Sequence, residues 1–130
     1  MITKEFYIAF GNLLYALAMS DGAVQPQEKE SILKLVKEKL VPLENIKDAM
    51  GTDLAYYTAF AFETADEFVK SVEDTLIQFI DYVKEHEEKI NREQLKVLNS
   101  IIKEVARSYG RVTKKEQEII DVFNGMMYNI

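Results

Sequence analysis

Two carboxylates stand close enough along the chain to act together. Asp21 and Glu28 bracket the segment Asp21-Gly22-Ala23-Val24-Gln25-Pro26-Gln27-Glu28. Folded across a turn, they offer two oxygens to a hard divalent cation such as Mg²⁺, Ca²⁺ or Mn²⁺. A third oxygen would have to come from Asp53, Glu63 or Asp66 in the middle of the chain. The spacing is not that of an EF-hand, because Ala23 and Gln25 stand where alternating ligands are needed. Glu28 also has a role without any ligand. In the first turn of a helix it faces a partial positive charge, and complementing that charge or bonding free N–H groups of the loop stabilises the corner by about 1 kcal/mol. A second grouping is aromatic: Tyr56, Tyr57, Phe60 and Phe62. It is a partner-docking patch if several rings stay exposed, and core filling if they do not.

Conventional catalytic machinery is missing from the sequence. His86 is the single histidine and cysteine is absent, so a histidine-based dyad, a thiolate or an imidazole-rich metal site has no residues to build it. No nucleotide-binding glycine loop or nucleophile elbow occurs. A carboxylate-based hydrolase would rest on two acids alone, and no catalytic residue is assigned. A net charge of −6 opposes binding to nucleic acid and to anionic membrane surfaces, both of which require a cationic face. With 130 residues and 48% hydrophobic content, the chain suits one domain, residues 1–130, with a core that needs no disulfide or structural metal.

The run Phe6 to Met19 is almost wholly apolar, and Ala16-Leu17-Ala18 mimics a signal-peptidase site. Lys4 offset by Glu5, and the interruption at Gly11-Asn12, favour a buried helix of a cytoplasmic protein instead. The run also falls short of the roughly twenty apolar residues that a membrane span requires, so no direct membrane insertion is expected.

An internal repeat organises the elements that must position these residues. Sliding the sequence by 88 places Ala18 opposite Ala106, Ser20 opposite Ser108, Gly22 opposite Gly110, Val24 opposite Val112, Glu28 opposite Glu116 and Ile32 opposite Ile120. Tyr7, Phe10, Leu13, Leu14 and Leu17 fall opposite Leu95, Leu98, Ile101, Ile102 and Val105, so the matched unit is helix, turn and helix. Only the first copy keeps an acid beside its glycine, since Tyr109 replaces Asp21. Gly22 and Gly110 then serve as structural turn residues, and Glu116 as a helix cap.

Local signals predict helices throughout. The first covers about residues 3 to 20 and is apolar nearly all round, whereas its duplicate carries Lys96, Lys103 and Glu104 where the first has Ile8, Tyr15 and Ala16. The second starts at Pro26, buries Ile32, Leu33, Leu35, Val36 and Leu40, and closes at Val41-Pro42. A short helix ending near Met50-Gly51 is predicted next, then a helix over Asp53 to Phe62. Thr64-Ala65-Asp66-Glu67 has the form of a capping box opening a helix with Phe68, Val69, Val72, Leu76, Phe79, Ile80 and Val83 inward. Asn91 caps the duplicate helix, Gly110 ends it, and Thr113-Lys114-Lys115-Glu116 opens the last helix with Ile119, Ile120, Phe123 and Met127 inward. The fold class is all-α: one compact bundle of about six to seven helices with a pseudo-symmetric pair of helical hairpins.

Ala18-Met19-Ser20-Asp21-Gly22-Ala23-Val24, followed by Glu28 and the apolar stripe from Ile32, resembles the signature of the TerB-like family named for tellurite resistance. Ala106 to Ile120 resembles the family's C-terminal half; the middle of the chain is not covered. The resemblance implies an all-helical, internally pseudo-symmetric fold without enzymatic activity. It also implies a divalent-cation site built from acidic residues, here Asp21 and Glu28, and an interaction or sensing role in a stress response. The departure at Tyr109 leaves the second turn without such a site. Beside it stands a metal-free reading, a protein-interaction adaptor using Tyr56, Tyr57 and Phe60, its protein partner not identified by the sequence.

Overall fold

The helix α1, Lys4–Met19, is the surface against which much of the chain packs. Thr3 caps it, its hydroxyl accepting from the Phe6 amide at 3.3 Å. Phe6, Tyr7, Phe10, Leu13, Leu14, Ala16, Leu17 and Ala18 are all buried, a stripe too wide for a helix with a single partner. The computed structural model describes residues 3–19, 26–44, 46–65, 72–86, 90 and 92–107, with positions 114, 117, 118, 121, 124 and 125. The helices are α2 (Pro26–Leu35), α3 (Val41–Glu44), α4 (Tyr56–Thr64), α5 (Val72–Glu85) and α6 (Arg92–Arg107). A π-helical turn, Val36–Leu40, links α2 to α3. The fold is all-α, and among the described residues the only extended pairing is an isolated bridge between Lys47 and Asp53.

α1 packs against α4, α5 and α6. The crossing with α4 is close. A β-carbon placed on Gly11 would overlap the carbonyl oxygen of Thr58 and come within 2.9 Å of the Ala61 β-carbon. Beside that contact, the buried Thr58 hydroxyl donates to the Tyr7 carbonyl at 2.9 Å. A fully buried hydroxyl without such an acceptor would be strongly disfavoured, so the bond fixes how far α4 can slide along α1. Against α5, Phe6 and Phe10 meet Phe79 with ring centres 5.5 and 5.8 Å apart, and Thr3 and Tyr82 share a short hydroxyl–hydroxyl bond.

In the register shifted by 88 residues, α6 falls opposite α1. The buried positions of α6, Gln94, Leu95, Leu98, Asn99, Ile101, Ile102 and Val105, all fall opposite buried positions of α1 in that register. Lys96 and Glu104 are exposed and Lys103 half-buried, which is the solvated face expected of the duplicate helix. Lys114, Gln117, Glu118, Asp121, Asn124 and Gly125 are helical, with Gln117 donating to Asp121 one turn on at 2.8 Å. Ile119, Ile120, Phe123 and Met127 lie outside the described residues, as do Phe68, Val69, Asn91, Thr113, Lys115 and Glu116.

Several expectations are corrected. Pro42 does not close the helical path. The Val41 amide bonds the carbonyl of Val36, five residues back, so the chain widens into a π-turn just before the ring that would otherwise meet the preceding turn, and the helix continues to Glu44. Val41 holds helical angles although proline follows, because Val36 and Leu40 are buried on either side of the turn and Lys39 reaches Ser100 at 2.9 Å and pairs with Glu104. Leu33, expected inside, is 45% exposed. No short helix ends at Met50-Gly51; a tight turn stands there. The next helix begins at Tyr56 rather than Asp53. Thr64 is not a helix cap but the last residue of α4, its hydroxyl donating back to the Phe60 carbonyl at 3.0 Å. Among the described residues no helix is long and apolar enough to cross a membrane.

The Gly11 contact gives a direct prediction. Gly11→Ala should lower the unfolding free energy by roughly 1–3 kcal/mol in urea denaturation, although alanine is the better helix former. Adding Ala61→Gly should restore only part of the loss, because the Thr58 carbonyl remains in the way.

Candidate functional site

α4 carries Tyr57, Phe60, Ala61 and Thr64 at three- and four-residue spacing, hence on one helix face. With Ile8 and Asn12 of α1 they line an open, mainly apolar groove of about 430 Å³. Phe60 is 47% exposed and meets Tyr57 edge-on at 5.6 Å between ring centres. Tyr56 is half-buried and packs against the core, while Phe62 is buried and edge-on to Tyr15 at 5.8 Å. The aromatic segment therefore divides. Phe62 fills the core, and Tyr57 with Phe60 forms the groove wall.

Tyr57 is held by two charged neighbours. Its hydroxyl donates to Oδ2 of Asp48 at 2.8 Å, and the Lys4 ammonium lies 4.7 Å from the centre of its ring. Asp48 in turn organises the connection leading into α4. Its Oδ1 accepts from the amides of Met50 at 2.9 Å and Thr52 at 3.0 Å, and its own amide bonds the Thr52 carbonyl at 2.8 Å. Gly51 closes this loop at φ +84°, a conformation in which a β-carbon would be strained. The pattern is that of a three-residue hairpin loop ended by a left-handed residue. Met50, at its tip, is 89% exposed.

The hydrogen bond from Tyr57 and that from the Thr52 amide hold the Asp48 carboxyl below its ordinary value, with the nearby Lys4 adding to the effect. The same bond to Asp48, reinforced by partial burial and the carboxylate's charge, pushes the Tyr57 phenol above its ordinary value. Neither group is placed as an acid or base toward a reacting atom. What the arrangement does is fix an aromatic ring at the groove.

Asp21, Gly22, Gly110 and Glu116 lie outside the described residues, as does the side chain of Glu28, whose backbone is in the first turn of α2. Of the three candidate partners for that pair, Asp53 sits in the bridge with Lys47, with Oδ1 buried and lacking a hydrogen-bond partner. Glu63 is exposed on α4, and Asp66 lies outside the described residues. Among the described residues no three histidine, cysteine, aspartate or glutamate side chains are grouped to hold a metal ion. Comparison with family models, with curated proteins and with solved structures finds no match to this chain.

Asp48, Lys4, Ile8 and Asn12 were not among the sequence-derived site residues. Asp48 had a signal: an aspartate three residues before a glycine is the chemistry of a turn. The other three join the site only through the packing of α1 on α4.

The pH dependence follows from the two shifts. The folded-state value of Asp48 lies below 3.8, so its contribution to stability is complete above that pH and is lost as pH falls through the folded value. That of Tyr57 lies above 10.0, so its contribution holds below pH 10 and is lost as pH rises through the folded value. The difference in urea midpoint between wild type and Tyr57→Phe should therefore be widest between about pH 5 and 9 and narrow on acidification below 3.8. An unchanging difference down to pH 2 would show that the bond does not couple to folding.

Proposed function

We propose that this chain is a non-catalytic helical binding module whose contact surface is the groove between α1 and α4. The observation that carries this reading is Phe60, a large apolar ring left half exposed beside Tyr57, on a helix whose neighbouring aromatic Phe62 is buried. The hydrogen bond that Tyr57 donates to Asp48 and the Lys4 ammonium over its ring keep it in one orientation before any partner arrives, which reduces the ordering cost of binding. Aromatic side chains in such a setting are frequent anchors of protein contacts. A photo-crosslinking amino acid in place of Phe60 should trap a discrete protein in the native cell, and one in place of Lys96, on the exposed face of α6, should not. Equal labelling from both positions would defeat the reading.

A second reading is supported by the repeat. The shared buried positions of α1 and α6 are what a duplicated pair of helical hairpins would leave; such a pair would sit in a bundle of six to seven helices. This is the architecture implied by the resemblance to the TerB-like family, and with it comes the divalent-cation role of Asp21 and Glu28 and a place in a stress response. Thermal unfolding with Mg²⁺, Ca²⁺ and Mn²⁺ at millimolar concentration tests the cation: it should raise the midpoint of wild type and not of Asp21→Asn. No response from wild type removes the cation and leaves the binding groove untouched.

A further inference from the structure

Ile8 and Asn12 border a second hollow. Beside them a groove of about 270 Å³ runs between α1 and α5, lined also by Glu5, Thr75, Gln78 and Tyr82. The two grooves share Ile8 and Asn12, so together they form one trough with α1 as its floor and α4 and α5 as its walls. The walls run in opposite senses relative to the floor. On α4, Tyr57 lies by Lys4 and Phe62 by Tyr15; on α5, Tyr82 lies by Thr3 and Phe79 by Phe10.

A trough between two helices on the back of a third has the shape that receives another helix. Its floor offers Ile8, Ala9 and Asn12, and its walls Phe60 on one side and Tyr82 on the other. Apolar surface thus lies at the centre, with the amide groups of Asn12 and Gln78 interspersed. The rim is acidic. Glu5 lines the trough, Glu63 is exposed one turn from Phe60, and Asp81 is exposed one turn from Gln78. Lys4 is the basic group at the Tyr57 end, where it lies over that ring. Lys84 falls two residues beyond Tyr82, on another face of α5. The chain as a whole carries a net charge of −6.

We infer that the trough between α4 and α5 receives a basic amphipathic helix of a partner protein, its apolar stripe laid on Ile8 and Phe60 and its lysine or arginine flanks against Glu5, Glu63 and Asp81. This deepens, and rests on, the reading of the α1–α4 groove as a binding surface. The floor from Glu5 to Asn12 spans about two helical turns, so the partner helix anchors through apolar residues at i, i+3 or i+4, and i+7. The acidic rim selects against acidic helices by like-charge repulsion as much as it attracts basic ones. A second copy of this acidic chain, or an anionic lipid surface, does not supply that complementary charge.

The test uses the full-length protein and two fluorescein-labelled peptides of about 14 residues, identical in their leucine stripe and differing only in lysine or glutamate flanks. At about 0.15 M salt, anisotropy should show binding of the lysine-flanked peptide and at least about ten-fold weaker binding of its glutamate twin. Phe60→Ala should weaken the lysine-flanked peptide at least about five-fold. Because Phe60 is half exposed, a melting curve will show whether that variant remains folded. A second variant, Glu5→Lys with Asp81→Lys, leaves the apolar floor in place and should reverse the preference between the two peptides. Equal affinity for both peptides, binding of neither, or binding indifferent to Phe60→Ala would overturn the proposal. So would self-association, seen by sedimentation, that Phe60→Ala abolishes, or binding to neutral lipid vesicles through Phe60, since each puts a different occupant in the trough. If crosslinking from position 60 traps a protein while neither peptide binds, the binding surface stands and the basic-helix partner falls. If both fail, the surface falls with it.

Discussion

Gly11 of α1 lies so close to the backbone of Thr58 in α4 that no β-carbon fits between them, and this contact seats α4 on α1. A backbone carbonyl is not a side chain that can rotate away. The contact therefore fixes both the separation of the two helices and the identity of the residue at position 11. The Thr58 hydroxyl bonding the Tyr7 carbonyl adds a directional constraint to that steric one. With distance set by glycine and translation set by the hydroxyl, α4 has little freedom to settle elsewhere on the long apolar surface of α1.

From that seat, the rest of the groove is determined locally. Tyr57 precedes Thr58 and Phe60 precedes Ala61, so the residues that touch α1 leave these two aromatic rings at its edge. Asp48 then links the connection to the helix it feeds. One carboxylate oxygen holds the hairpin loop and the other holds Tyr57, so the entry to α4 and the groove wall are one hydrogen-bonded unit. Across the strip from α4, Phe79 and Tyr82 of α5 complete a second wall through ring contacts with Phe6 and Phe10. A helix contacted on so many sides is almost entirely consumed as core. What it keeps open is the strip bearing Ile8, Ala9 and Asn12.

Most of the helical architecture is legible in the sequence because apolar spacing of three and four reports burial directly. The start of α1 was foreseen to within about a residue, and so was the contrast between the apolar α1 and the half-solvated α6. The failures have local causes. Proline's usual veto on a helix was circumvented by a π-turn, because burying Val36 and Leu40 and joining Lys39 to α6 outweighed the preference of the residue before proline. The stretch before Gly51 looked helical although Asp48, three residues before that glycine, carried the signal of a turn; its other partner, Tyr57, is one that spacing alone does not reveal. The groove was half legible. Tyr57 and Phe60 were named from composition, but which aromatic would stay outside depended on the face of α4 that Gly11 admits, and that is a property of two helices rather than of one. Gly11 itself was read only as a break in an apolar run.

α1 and α4 form a single unit seated by the Gly11 contact, with the groove as its outer edge. Native-state hydrogen exchange under increasing urea examines this directly. Amides of α1 from Phe10 to Leu14 and of α4 from Phe60 to Thr64 should open in one cooperative step with a common free energy. If the α4 amides instead exchange by a low-energy local opening while α1 stays protected, α4 is not held by that contact, and this account of how Tyr57 and Phe60 are positioned is wrong.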